Sequence, residues 1–278
     1  MLRSMNDLRD YAIRATDGDI GHVTDFYFDD HAWVIRYLVV DTGTWLSSRK
    51  VLISPIAIGQ PNWAERVLPV SITREQVKNS PDIDTDKPIS RQHETRFLGY
   101  YGYPYYGGGA GLWGAGMLPG AMMVPGYFGS ASSLRSEQSE SGKSFARAEA
   151  ARHQNDDPHL RAGKAVMSCH IEATDGDVGH VEDLLIDDET WAIRYIIVNT
   201  SNWWMGHQVL IAPQWIGNIS WHDASVSVNV TRQAVKDAPP YGSATELNRV
   251  CEASLYKHHG RPGYWVAEEK RATELAGH

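Results

Sequence analysis

Ala15-Thr16-Asp17-Gly18-Asp19-Ile20-Gly21-His22-Val23 returns as Ala173-Thr174-Asp175-Gly176-Asp177-Val178-Gly179-His180-Val181, so that position 15 becomes position 173, an offset of 158. The register then runs on without a gap. Trp33, Arg36, Tyr37, Pro55, Arg74 and Lys78 meet Trp191, Arg194, Tyr195, Pro213, Arg232 and Lys236. Arg91, Glu94, Gly102, Pro104 and Tyr106 meet Arg249, Glu252, Gly260, Pro262 and Tyr264. Such a period is too long for a solenoid repeat and suits a whole small domain. The sequence therefore predicts two like domains, residues 1–106 and 161–278, joined by a linker over 107–160.

Within each repeat the Asp-Gly pair is a hairpin turn signal, because glycine accepts positive φ without steric cost. In the first repeat it separates a strand containing Ile13 from one over Ile20–Phe28, and Asp29-Asp30-His31-Ala32 turns that strand into the next, Trp33–Asp41. Antiparallel counting from Phe28 opposite Trp33 places Asp25 opposite Arg36, and Asp183 opposite Arg194 in the second repeat, as structural ion pairs. Short β-branched runs at Lys50–Ile53 and Val67–Ile72 add a fourth and a fifth strand. Many short strands joined by turns favour a small closed or nearly closed barrel, so the expected fold class is mainly β, two small barrels each followed by short helices. The helices are expected at Thr73–Lys78 and Thr231–Lys236, with threonine N-caps, and at Ser90–Leu98 and Thr245–Tyr256 before Gly-x-Pro turns.

Asp17-Gly18-Asp19-Ile20-Gly21-His22-Val23-Thr24-Asp25, Trp33 to Val40 and Lys50 to Pro55, with their second copies, resemble the PRC-barrel domain, named after the cytoplasmic part of the photosynthetic reaction centre H subunit. The trailing Arg-x-x-Glu helix and Gly-x-Pro-x-Tyr element resemble those of bacterial tandem PRC-barrel proteins. The resemblance implies two barrels of that type and roles in assembly and interaction. In the reaction centre the domain sits against membrane partners, and in a ribosome maturation factor a related domain supports protein contacts.

The net charge of -8 supplies no basic surface for nucleic acid, so no nucleic-acid partner is expected. Cys169 and Cys251 form no paired framework, and the charged start at Met1–Asp10 lacks the apolar core of a signal peptide, which together point to the cytoplasm. The linker carries no charge from Phe97 to Leu134, but its glycines and prolines suit a bilayer-spanning helix poorly, and a peripheral membrane role is the lesser expectation.

Asp17, Asp19, His22, Asp29 and Asp30, with Asp175, Asp177, His180, Asp187 and Asp188, are the clusters that could hold a metal or small molecule. An EF-hand counted from Asp17 or Asp175 puts Phe28 or Ile186 where a bidentate glutamate belongs, so hairpin turns explain them better. No nucleophile elbow, phosphate loop, dinucleotide fingerprint or zinc-protease helix appears, and neither catalysis nor a cofactor is expected. His258-His259 stands opposite Tyr100-Tyr101, which suits packing of the trailing helix rather than a site shared by both repeats. Trp45, Trp203, Trp204, Tyr103 and Tyr105 are the candidate interface residues, apolar with a polar handle. The expected molecule is a noncatalytic scaffolding or protein-binding module, its repeats packed as an internal pseudo-dimer and capable of further self-association. A regulator binding a small molecule or metal through the acidic turns is the alternative.

Overall fold

The fold is that of a computed structural model, whose described residues are 1–84, 89–106, 111–114, 116–123, 160–167, 169–200, 207–242 and 247–276. Two compact units divide the chain. The first comprises Leu8–Gly163 with Glu189–Ala192, and the second Met1–Asp7, Lys164–Asp188 and Ile193–His278.

The first unit is built on β2 (Ala12–Ala15), β3 (Gly18–Asp29), β4 (Val34–Asp41), β5 (Lys50–Ile53) and β6 (Val67–Pro69), in the order β5-β4-β3-β2-β6. Neighbours are antiparallel except β2 with β6, which is parallel. The Asp-Gly turn between β2 and β3 forms as the sequence predicts, with Gly18 at φ +140, a backbone open mainly to glycine. Gly21 has a different reason: a Cβ there would lie 1.8 Å from the Asp41 carbonyl oxygen, so a side chain would push β3 away from the end of β4.

β3 is long because its halves pair differently. Residues 18–22 pair with β2, and beyond the end of β2 the edge at Tyr27–Asp29 would present unpaired amides and carbonyls. β7 (Leu160–Ala162) fills that edge, with Tyr27 opposite Ala162, Phe28 opposite Arg161 and Asp29 opposite Leu160. Leu160 is buried in the core with Tyr27, Tyr37, Val39, Leu52, Ile89 and Phe97. The strand that completes the first sheet thus comes from the head of the second repeat.

The second unit reproduces this plan. β8 (His170–Ala173), β9 (Gly176–Asp187), β10 (Ile193–Asn199), β11 (Gln208–Ile211), β12 (Ile216–Ser220) and β13 (Ser225–Val228) take the order β11-β10-β9-β8-β13-β12. The free edge of β9 is filled by β1 (Leu2–Ser4), with Leu2, Arg3 and Ser4 opposite Asp187, Ile186 and Leu185. Both sheets are mixed, and each repeat lends its leading strand to the other's sheet. The contiguous domains 1–106 and 161–278 are corrected accordingly, and Trp113, fully buried in the first unit, shows that its core extends into the expected linker. Phe145-Ala146-Arg147-Ala148-Glu149-Ala150-Ala151, whose composition would suit a short helix, lies outside the described residues.

The expected cross-strand ion pairs are also corrected. Trp33 belongs to the turn and β4 begins with Val34 opposite Asp29, so Phe28 meets Ile35, and a register shift between Tyr27 and Phe28 carries Asp25 one residue further, opposite Val39. Shifts in β10 likewise place Asp183 opposite Ile197. Counting back from the turn assumes an unbroken ladder, and each bulge displaces the count by a residue. Arg36 pairs instead with Asp29 at 3.6 Å, and Arg194 with Asp187 at 2.8 Å.

The helices follow their caps. The Thr73 hydroxyl accepts from the Gln76 amide and the Gln76 side chain from the Thr73 amide, closing a capping box over α2 (Arg74–Lys78). Ser90 caps α3 (Arg91–Tyr101), which ends on Gly102 at φ 69. α5 (Arg232–Lys236) repeats α2 under Thr231, following the single turn α4 (Gly163–Val166), the counterpart of α1 (Met5–Leu8). α6 (Arg249–His258) starts later than expected because Asn248 caps the Val250 and Cys251 amides. A further helix, α7 (Tyr264–Ala276), follows in the second unit alone among the described residues. No helix among the described residues is long and apolar enough to cross a membrane.

Candidate functional site

The acidic turns are occupied by the protein itself. Asp17 accepts from the Arg74 amide at 2.8 Å and Asp175 from the Arg232 amide at 2.6 Å, each fastening its turn to the helix that follows the sheet. Asp19 faces Arg14 at 2.9 Å. Asp30 meets Arg161 at 3.2 Å, and its counterpart Asp188 meets Arg3 at 2.8 Å, so each exchanged strand brings an arginine to the turn of the sheet it joins. Asp183 accepts from the Ser4 hydroxyl and, at 3.1 Å, from the Asn6 amide. Asp25 lies 3.9 Å from Arg9. Among the described residues no three His, Cys, Asp or Glu side chains converge as a metal set.

The two repeat arginines are buried against aromatic rings. Arg36 donates to the Leu112 carbonyl at 2.7 Å, and its guanidinium stacks on Tyr106 and Trp113 with centroids at 3.8 and 4.7 Å. Burial lowers its pKa, opposed by Asp29 and Glu94. Arg194 donates to Asp187 and Glu268, the latter at 2.5 Å, and stacks on Tyr264 at 4.1 Å. Burial acts against its charge as well, but the two carboxylates outweigh burial and hold its pKa up. Beside it, buried Glu252 accepts from Tyr195 and Tyr264, both at 2.9 Å, and lies 3.1 Å from Arg249. Burial, and then the neighbouring Tyr256 and Glu252, raise the Tyr195 pKa far out of reach of neutral pH. Tyr264 is pushed up to about 12, by burial first and then by Glu252. These phenols hold their protons and serve as hydrogen-bond donors.

The histidine pair behaves as its counterparts do. A ring nitrogen of His258 lies 2.8 Å from the Ala234 carbonyl, and the Tyr100 hydroxyl donates to the Gln76 carbonyl at 2.8 Å. Position for position these are the same bond, tying the long helix of each repeat to the short one. His259 packs on Trp215 at 4.4 Å.

The candidate interface residues separate. Trp45 is half-buried, its indole donating to the Ile20 carbonyl and its face covered by Arg74 at 4.3 Å, on the wall of an open cleft of about 480 Å³ with Asp17, Glu75, Lys78 and Asn79. Tyr105 is half-buried and stacked on Tyr106. Tyr103 is corrected to a core residue: it is 8 % exposed and stacks on Tyr101, because the Gly102 turn folds it back against α3. Trp203 and Trp204 lie outside the described residues.

A second cleft, of about 420 Å³, lies in the second unit between α7 and the turn at Pro213–Trp215. Sequence reading missed it because α7 follows the repeated region and has no described counterpart helix in the first unit. The apolar stripe of Gly263, Val266 and Ala267, ending on Lys270, was its available signal.

Residues 2–74 match the PRC-barrel domain. The match begins at the exchanged strand Leu2–Ser4 and ends at the first residue of α2, so it spans the repeated β-structure and excludes the trailing helices. The PRC-barrel match covers the β-strands of the first repeat, and the second sheet follows the same strand plan at an offset of 158 residues. No curated protein matches the chain.

Proposed function

We propose that the chain is a tandem PRC-barrel protein, its second sheet being a further barrel of the same type, and that it works as a noncatalytic binding or scaffolding module in the cytoplasm. One observation carries this reading: the turn carboxylates of both repeats, and the buried glutamate and phenols of the second, are turned inward and engaged within the protein. Asp29, Asp30, Asp187 and Asp188 hold arginines, and Glu252 holds two tyrosines. Groups so engaged stabilise structure and are poorly placed to take a substrate. The PRC-barrel match over residues 2–74 supports the same reading, because the family is associated with assembly rather than turnover. The acidic-turn regulator is less favoured, since its carboxylates other than Asp177 already have partners.

The test joins two measurements. Immobilised full-length protein should retain a defined protein partner from its native cell, identified by mass spectrometry and reconstituted from purified components. Calorimetric titration with Ca²⁺, Mg²⁺ and Zn²⁺ should release no stoichiometric heat. Stoichiometric ion binding, with no protein retained, would replace this reading with the regulator.

A further inference from the structure

We infer that the cleft between α7 and the Pro213–Trp215 turn receives a short apolar segment of a partner protein flanked by carboxylates. This rests on the binding-module reading and assigns it a surface and a partner chemistry. The helix first shows what is spare. One side of α7 is committed to the core: Tyr264 donates to Glu252 at 2.9 Å, Trp265 lies against Tyr256 with ring centroids 5.2 Å apart, and Glu268 accepts from Arg194 at 2.5 Å. Gly263, Val266, Ala267 and Lys270 fall at i, i+3, i+4 and i+7, a single stripe, and all of them line the cleft. Val266 is 37 % exposed, and Pro262 and Ala267 are exposed beside it. The helix is therefore held in place while Val266 and Ala267, with Pro262 beside them, face outward along the cleft.

The first repeat shows the kind of chain that suits such a turn. Pro55–Ala57 is the positional counterpart of Pro213–Trp215, and in the first unit the segment Pro119–Met123 packs against it with Met122 only 4 % exposed. That segment reads Pro-Gly-Ala-Met-Met, uncharged and wound as a short 3-10 helix. In the second unit the counterpart turn instead lines the open cleft, with fully buried Trp215 at the position of Ala57.

Charge selects the flanks. Arg261 and Lys270 both line the cleft, Arg261 donates to the Asn229 carbonyl at 2.6 Å, and no described carboxylate side chain pairs with either. The corresponding positions of the first repeat are Tyr103 and Leu112, so the cationic rim belongs to the second unit. Opposite charge at a rim steers and orients a partner more than it anchors it, and the apolar stripe supplies the remaining affinity.

The probe is the chain's own sequence 118–124 as a labelled peptide, extended by two glutamates or by two lysines and titrated into full-length protein by fluorescence anisotropy. The glutamate form should bind at least tenfold more tightly. Arg261→Glu combined with Lys270→Glu should invert that preference, and Val266→Asp should weaken both peptides at least tenfold with the circular dichroism spectrum unchanged. Equal affinity of the two peptides, no binding of either, or indifference to Val266→Asp overturns the inference. Concentration-dependent self-association that Val266→Asp removes also overturns it, by making a second copy the occupant. In affinity capture, a partner retained by wild type and Val266→Asp alike removes this cleft but leaves the module reading standing, whereas no partner with either protein removes the module reading itself.

Discussion

Replacing Leu160 with alanine should weaken the sheet of the first repeat, although Leu160 heads the second. Its side chain is 1 % exposed and packs among Tyr27, Tyr37, Val39, Leu52, Ile89 and Phe97, while its backbone pairs with Asp29. Truncating a fully buried leucine costs about 2–5 kcal/mol from lost burial and the cavity left behind. Taking about 3 kcal/mol, amides that exchange by opening of that sheet should exchange about a hundredfold faster. Hydrogen exchange read by mass spectrometry would follow peptides containing Tyr27–Asp29 and Tyr37–Val39 in the first sheet, with Leu184–Asp187 and Tyr195–Val198 in the second. The expected result is acceleration greatest in the first set. Acceleration confined to the second set, or less than about tenfold at Tyr27–Asp29, would show that Leu160–Ala162 stays with its own repeat and would refute the exchange of leading strands.

Gly179→Ala would place a Cβ 2.0 Å from the Asn199 carbonyl oxygen, so β9 and the end of β10 must separate; urea denaturation should show a loss of about 1–3 kcal/mol, whereas Gly99→Ala, with open space around its Cβ and a helical backbone, should be neutral or stabilising by up to about 1 kcal/mol. His259 is held down to about 4, by burial first and then by His258 and Arg261. The unfolded chain takes up that proton near pH 6.5 and the folded chain only near 4, so stability should fall as pH is lowered between those values, and His259→Gln should show a shallower fall in its urea midpoint over that range. Parallel wild-type and variant profiles would contradict the burial of a neutral His259.

Much of the fold is legible in the sequence because its signals are local. Asp17-Gly18 and Asp175-Gly176 demand tight turns, Thr73 and Gln76 specify a capping box, and Gly102 and Gly260 stop their helices in the left-handed region. The 158-residue offset carries one set of such signals onto the other. It sets His258 opposite Tyr100, and each of them ties the long helix of its repeat to the short one. The same offset joins Leu2-Arg3 to Leu160-Arg161, the one sequence trace of the leading strands. Three residues carry too little periodicity to announce a strand, and nothing local says whose edge they will fill.

What the sequence by itself determined is the repeated plan: which residues turn, which cap and which alternate into a buried face. Only the tertiary structure decided that Arg36 turns to Asp29 and Arg194 to Asp187, because each arginine is the extra residue at a register shift of β4 or β10 and has no residue opposite it in the ladder. It also decided that each sheet is completed by the other repeat's first strand. A strand edge is satisfied by any chain with free amides and carbonyls within reach, so the choice belongs to the geometry of the folded molecule and leaves no mark in the order of the residues.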